Sequence, residues 1–423
     1  MKLLDNPIAT PEQLQVESDA IRIFGMPQVR AAVDKMAAFY ATQANAQHPE
    51  QAARIRAAAE SGVFHVTVIA VNEDPANPKI LATELPAHRW MGIDVPDARH
   101  AIDNPDNIYR IMPVDARSSY RLEGRFPPRH AADFNLTVLT EYFGEKGANA
   151  TVGYLDENTL EISEEGRFEI TFDNSPAEGR VNHVTLAPDA RFVFFRESLK
   201  DWVSQSAATM QVARLTGPLC GNPKSDDELA GRAAELALAA NKYFFERIMV
   251  GQCQHSAPNE VPPPFASGQF GGLVTQVGRL MQYALEDDEA LILSADKMGA
   301  GYFAAQLTDL WTVSYDYGAH LSCLNDFEIA PDEDGRLTLV ISPRDPGVHN
   351  WLDGGGQHSG AISLRWQRLP LGNQPESESV RGQVVKLADL RDTLPRGTRF
   401  IEPHEREKQR KLRAAGFARR FAG

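Results

Sequence analysis

The sequence predicts a mainly β, α+β protein: two β-sandwich or jelly-roll-like domains related by an internal repeat, joined by a helical segment, with helices at both ends. A repeated stretch is the first sign. EGRFEITFDNSPAEGRVNH, Glu165 to His183, and DGRLTLVISPRDPGVHNW, Asp334 to Trp351, both start on an acidic residue and Gly-Arg and continue as an alternating apolar strand. Both then cross a Pro-containing turn into Gly-x-x-Asn, so that Gly179 pairs with Gly347 and Asn182 with Asn350. Secondly, roughly ten residues on, each copy has a strand ending in arginine, FVFFRE with Arg196 and AISLRW with Arg365. Thirdly, NPDNIYRIMPVD, SSYRLEGRFP and FNLTVLTEYF are short strands separated by turn residues, a spacing that suits a sandwich and not alternating β-α-β units.

Taken in order, residues 1–62 read as an N-terminal helical segment. Val29, Val33, Met36, Phe39 and Tyr40 recur at spacings of three and four, and a second helix from His48 to Glu60 has Pro49 at its start and Gly62 past its end. The run VFHVTVIAV, Val63 to Val71, is apolar and β-branched and is expected to open a first sandwich domain over 63–218. Residues 219–299 read as a helical bridge, with an Ala/Glu/Leu-rich helix from Ser225 to Val250, a proline cluster at Pro262 to Pro264 and a helix from about Leu273 to Leu285. The second sandwich domain is expected over 300–370, and 371–423 is a polar loop followed by a basic helix. The glycines of SGQFGGLVTQVG lack the Gly-Lys-Ser/Thr ending of a phosphate loop and do not follow a strand, so nucleotide binding is not indicated.

Composition excludes several classes of function. At 423 residues and 43% hydrophobic content the chain suits two or three cores. Cys220, Cys253 and Cys323 are widely spaced and odd in number, which indicates neither a disulfide framework nor a thiolate zinc site. The opening MKLLDNPIATPEQ lacks the apolar core of a signal peptide, and no run approaches a membrane span, so a cytoplasmic protein without a membrane partner is expected. A formal charge of -14 repels phosphate backbones, which argues against a nucleic-acid partner. The basic tail, Glu405 to Phe421, has Leu412 and Phe417 among its charges and is expected to pack on its own protein or a neighbouring subunit.

Candidate site residues fall into five groups. Asn182 and Asn350 suit turn-stabilising roles, since asparagine bonds neighbouring amides and tolerates left-handed backbone. The second copy has gained His349, Trp351, Asp353 and His358 around a Gly354-Gly355-Gly356 loop, where a histidine oriented by a carboxylate can move protons near neutral pH; an exposed glycine loop with incidental histidines is the plainer alternative. In DLWTVSYDY, read as a strand, Tyr315 and Tyr317 share one face, and an inward Asp316 would need Arg365 or His320 as partner. In NPDNIYR, Tyr109 and Arg110 point to opposite faces, and Arg110 is a candidate carboxylate grip or a surface arginine. No tight His spacing supports a metal, so none is expected, and no cofactor is indicated.

The run from Trp311 through Asp316-Tyr317, Leu324-Asn325, Asp334-Gly335, DPGVHNWLD and Arg365-Trp366 resembles domain-of-unknown-function family 1214, and NPDNIYR with YRLEGR resembles the first domain that accompanies it, similar to family 1254. The resemblance spans about residues 100 to 400 and implies two sandwich-like domains joined by helices, often in a homo-oligomer. It implies no activity. From the residues themselves, the expected function is a cofactor-independent lyase or hydrolase for a small, partly apolar organic substrate. His349, Asp316, Asp353 and His358 would supply acid–base chemistry, and Trp351, Tyr317, Tyr109, Arg110 and Arg365 would hold the substrate. The alternative is a non-catalytic ligand-binding or assembly protein.

Overall fold

The computed structural model describes residues 6–145, 149–219, 221–270 and 272–422; Cys220 lies outside them. It shows a β-rich α+β fold. Three helices come first, α1 (Pro11–Phe24), α2 (Pro27–Ala41) and α3 (Pro49–Val71), each with proline in its first turn, where the missing N–H costs nothing. Thr10 caps α1 by accepting from the Gln13 amide at 3.1 Å.

Eleven strands follow: β1 (Leu81–Thr83), β2 (His88–Trp90), β3 (Ile93–Val95), β4 (Asn107–Pro113), β5 (Ser119–Arg125), β6 (Asp133–Leu139), β7 (Thr151–Asp156), β8 (Arg167–Asp173), β9 (His183–Thr185), β10 (Phe192–Ser198) and β11 (Thr209–Thr216). Helix α4 (Asp226–Tyr243) opens on a Ser225/Glu228 capping box and runs on as a π-helix, Phe244–Cys253. The second set is β12 (Phe265–Ala266), β13 (Val277–Ala284), β14 (Glu289–Ala295), β15 (Tyr302–Thr308), β16 (Cys323–Asn325), β17 (Leu337–Ile341), β18 (Trp351–Leu352), β19 (Ser359–Gln367) and β20 (Val380–Lys386). The short α5 (Leu390–Thr393) and the terminal α6 (Pro403–Arg420) close the chain.

Each set makes a five-stranded and a four-stranded sheet, and in the first set β2 and β3 pair separately as a two-stranded ribbon. The orders are β1-β4-β10-β6-β7 with β11-β5-β8-β9, and β12-β13-β19-β15-β16 with β18-β17-β14-β20. Read with β1 against β12 and β11 against β20, the two sets run in the same order, including the parallel pairs β8·β9 and β17·β18. Leu122, Phe134, Ile170 and Phe172 fill the first sandwich, and Leu293, Phe303, Leu339 and Trp366 the second. Burying a side chain such as Phe172 contributes about 1.5–3 kcal/mol. The outer faces of the five-stranded sheets are buried as well: α2, α3 and α4 cover them, with Phe194 and Leu280 reaching one shared cluster from the two halves.

Several local expectations are corrected. Val63 to Val71, expected as a strand, is the last third of α3; it is buried all round, so its apolar content has no periodicity to separate helix from strand. Residues expected as a helix near 273–285 form β13, a strand buried on both faces whose Leu and Met mimic helical composition. Strands β12 to β14 therefore lie inside the stretch read as a helical bridge, and β20 joins the second sandwich from beyond residue 370. DLWTVSYDY is an irregular loop bridged at Ser314. Asp316 is exposed and caps the turn by accepting from the Gly318 and Ala319 amides at 3.0 and 3.1 Å, so it pairs with neither Arg365 nor an inward partner.

The paired asparagines do hold the scaffold. Asn182 accepts from the Glu161 amide and donates to its carbonyl, both at 2.8 Å, and Asn350 does the same with Ala330 at 2.9 and 2.7 Å. Gly179 and Gly347, at φ +84° and +70°, make the left-handed turn ahead of each. The basic helix α6 packs on its own chain: Arg413 reaches Glu328 at 2.8 Å, and Arg406 reaches Asp345 at 2.9 Å.

Candidate active site

The two five-stranded sheets turn their outer faces toward one cavity of about 150 Å³, roofed by α3 and the π-helical turn. Its walls follow the shared strand order. On β10, Arg196 stands opposite Tyr109 of β4, and on β19, Arg365 stands opposite Gly278 of β13. All four line the cavity, as do Phe194 and Ser363, two residues earlier on β10 and β19. The arginines are anchored alike: Arg196 donates to Thr137 of β6 at 3.2 Å, and Arg365 to Gln306 of β15. Thr137 lies opposite Phe194 and Gln306 opposite Ser363, so the anchors are equivalent too. At the floor, Ser198 bonds Asn107 at 2.7 Å, Gln367 bonds Gln276 at 2.9 Å, and Ser198 donates to Gln367 at 3.0 Å across the seam.

Titratable groups crowd the α3 side. His65 on α3 shares a short hydrogen bond with the Tyr142 hydroxyl, and its Nε2 lies 3.9 Å from the Glu84 carboxyl. The His100 ring is 5.2 Å from that of His65, and its Nε2 has no partner among the described residues. Burial decides their charge. The Glu84 carboxyl is pushed up to about 8, the His100 ring down to about 3, and His65 well below its ordinary value. Asp103, held by the Ser314 hydroxyl at 2.8 Å, is pushed up to about 7 by burial. Near neutrality the cavity thus holds a protonated acid and two neutral imidazoles.

Its rim is strained. Ala101 and Ile102 are successive left-handed residues at φ 62° and 59°, and Thr312, whose carbonyl takes the Ile102 amide at 2.8 Å, has φ 76°. For β-branched side chains such backbone costs on the order of 1–3 kcal/mol each. The strain is held from both halves, since Arg365 donates to the Ile102 carbonyl. Strain maintained at a cavity wall is a common mark of function.

The residues singled out from the sequence divide. Tyr109 and Arg365 line the cavity, Tyr109 accepting from the Asn104 amide at 2.9 Å. Arg110 faces away from it in a buried ion pair with Glu197. Trp351 is buried, with the guanidinium of Arg406 5.0 Å from its ring, and Tyr317 packs edge-on to Trp202 at 5.8 Å. His349 is held by the Glu328 carbonyl at 3.2 Å and by Gln409 at 3.1 Å, and lines a separate cavity of about 410 Å³ beside α6. Asp353 pairs with His320 at 3.0 Å, so the glycine loop and the 311–320 loop do touch, but His358 pairs instead with Glu50 and Asp287 at 2.6 and 2.9 Å. His65, Glu84, His100, Asp103, Tyr142 and Arg196 were missed as site residues. His65 sat inside the run read as a strand, while Arg196 carried a signal in its match to Arg365. Among the described residues, no three His, Cys, Asp or Glu side chains gather as a metal would require.

Glu84 gives a pH test. Its folded pKa is raised, so its contribution is complete below about pH 4.5 and is lost as pH rises through about 8. His100 runs the other way, complete above about pH 6.5 and lost as pH falls through about 3. Glu84→Gln removes only the first slope. The melting temperature of the variant, relative to wild type, is expected to climb between about pH 5 and about pH 8; a pH-independent difference means that Glu84 is not buried neutral.

Among the described residues no helix is long and apolar enough to cross a membrane. No family model and no curated protein matches the chain. The solved structures it resembles include an uncharacterised protein from Burkholderia cenocepacia, 25% identical, with a TM-score of 0.70 over 89% of this chain and 99% of that one. A Vibrio parahaemolyticus protein, 11% identical, covers 67% of this chain and 90% of its own at a TM-score of 0.40. The fold is thus shared, nearly end to end, with a protein whose own description names no activity.

Proposed function

We propose that the protein is a cofactor-independent lyase or hydrolase acting on a small, partly apolar organic substrate in the cavity between its halves. The carrying observation is the cluster of His65, Tyr142 and Glu84 on the cavity between the halves: a phenol hydrogen-bonded to a neutral imidazole, and beside them a carboxyl still protonated near pH 7 that can donate a proton. A cavity of about 150 Å³ is on the scale that holds a benzene-sized guest. This moves the acid–base chemistry expected of His349, Asp353 and His358 to the seam, because those side chains are engaged by neighbouring elements on separate surfaces.

Two sandwiches of one design, related by an ancestral repeat, account for the equivalent strand orders and anchored arginines. The DPGVHNWLD string supports kinship with family 1214. A non-catalytic binding role is the second reading, favoured by His100, whose ring is held far below neutrality and cannot take up a proton there. Incubating wild type, His65→Ala and Glu84→Gln with a small-metabolite extract and following it by mass spectrometry separates these. Consumption of a compound by wild type, reduced at least roughly a hundredfold in both variants, is expected; equal consumption by all three, or retention without conversion, refutes the catalytic reading.

A further inference from the structure

The guanidinium of Arg196 stands out among the buried charges of the fold. It is 7% exposed, sits on the cavity wall 4.5 Å from the centre of the Phe194 ring, and is in no ion pair among the described residues. Arg365 is equally buried and donates to neutral acceptors, the Gln306 side chain and the Ile102 carbonyl. The contrast is with Arg110, the neighbour of Tyr109 on β4, which is just as deep but carries its own carboxylate, Glu197. A buried guanidinium without a counter-ion is costly unless a ligand supplies one. Among the described residues neither acid on the cavity forms an ion pair with Arg196 or Arg365: burial favours the neutral form of Glu84, which lies within electrostatic reach of Arg196, and Asp103 faces Arg99 and is bonded to Ser314.

The shared strand order also says where the room is. Equivalent positions carry Tyr109 and Phe194 in the first half but Gly278 and Ser363 in the second. The first half therefore presents aromatic wall and the second leaves space. At Gly278 the Phe265 ring covers the backbone, 3.2 Å from where a Cβ would stand, so the position that leaves room is Ser363.

Resting on the cavity reading above, we propose that the ligand is a small monocarboxylate with an apolar body, its carboxylate received by Arg196 with Arg365 beside it, and its body against Phe143, Phe194, Phe244 and Leu280. A planar guanidinium matches a carboxylate through two parallel N–H···O bonds, and the cavity leaves little volume beyond a single ring or short branched chain.

Calorimetric titration of the full chain tests this with benzoate and cyclohexanecarboxylate against benzyl alcohol and cyclohexylmethanol, which keep the shape and lose the charge. The acids are expected to bind at least about tenfold more tightly than the alcohols, and Arg196→Gln to abolish that preference while leaving the alcohols unchanged. Alcohols binding as well as acids overturn the carboxylate assignment and leave the cavity reading intact. Failure of both classes sinks the two together. The acid–alcohol comparison on wild type needs no variant, so it decides even if Arg196→Gln does not fold; an acid preference that survives in a folded Arg196→Gln removes Arg196 from the assignment.

Discussion

Asp106→Ala is expected to cost about 3–5 kcal/mol and to lower the first urea-unfolding midpoint, because it strips one carboxylate from three buried donors. Asp106 is fully buried and accepts from Trp202 Nε1 at 2.8 Å, from the Tyr302 hydroxyl at 2.7 Å and from Asn325 Nδ2 at 3.1 Å. Trp202 follows β10, whereas Tyr302 and Asn325 belong to β15 and β16, so one side chain ties the first sandwich to the second. Each donor left without an acceptor costs about 1–3 kcal/mol. Asp106→Asn is the graded control. Its single oxygen can keep Tyr302 and Asn325, while its amide opposes the indole N–H, so a loss of about 1–3 kcal/mol is expected. With the tie cut, Trp202 fluorescence should change at lower urea than far-ultraviolet circular dichroism. Coincident transitions at the wild-type midpoint would show that the seam does not depend on Asp106.

That tie also marks where sequence reasoning stops. The alternation of Phe168, Ile170 and Phe172 against Leu337, Leu339 and Ile341, the Gly-x-x-Asn turns and the matched arginines were legible because strands repeat every two residues and turns need particular residue types. What failed were the elements buried on every side. The end of α3 and the whole of β13 have apolar residues in both parities, and composition then misleads. The site was hidden for a related reason. His65, Glu84, His100 and Tyr142 come from four separate segments, and the left-handed backbone of Ala101 and Ile102 has no glycine to announce it. Novelty in the second copy, His349 to His358, drew attention to a surface that α3, α6 and the loops already occupy. Difference between copies was informative all the same: at equivalent cavity positions the first half carries Tyr109 and Phe194 where the second carries Gly278, covered by the Phe265 ring, and the small Ser363.

Arg110 separates burial from binding most sharply, since its sequence context suggested a grip on substrate. Its guanidinium meets Glu197 and donates to the Ala208 carbonyl at 2.9 Å, while the Ala208 amide donates to Glu197 at 2.7 Å, closing a ring of three hydrogen bonds on the face of β4 away from the cavity. Both side chains are almost wholly buried, and burial pushes the Glu197 carboxyl up while Arg110 holds it down. Arg110→Met is therefore expected to cost about 3–5 kcal/mol, not because the pair is strongly favourable but because it strands a buried carboxylate. Glu197→Leu should cost a similar amount by stranding the guanidinium. The double variant should be more stable than either single one, short of wild type by roughly the two Ala208 backbone groups left unpaired, about 1–3 kcal/mol. Strictly additive losses across that cycle would mean that the two charges are not coupled. A folded Arg110→Met with wild-type stability that no longer binds benzoate would return Arg110 to the ligand, and it would require the cavity to extend through the sheet to the opposite face of β4.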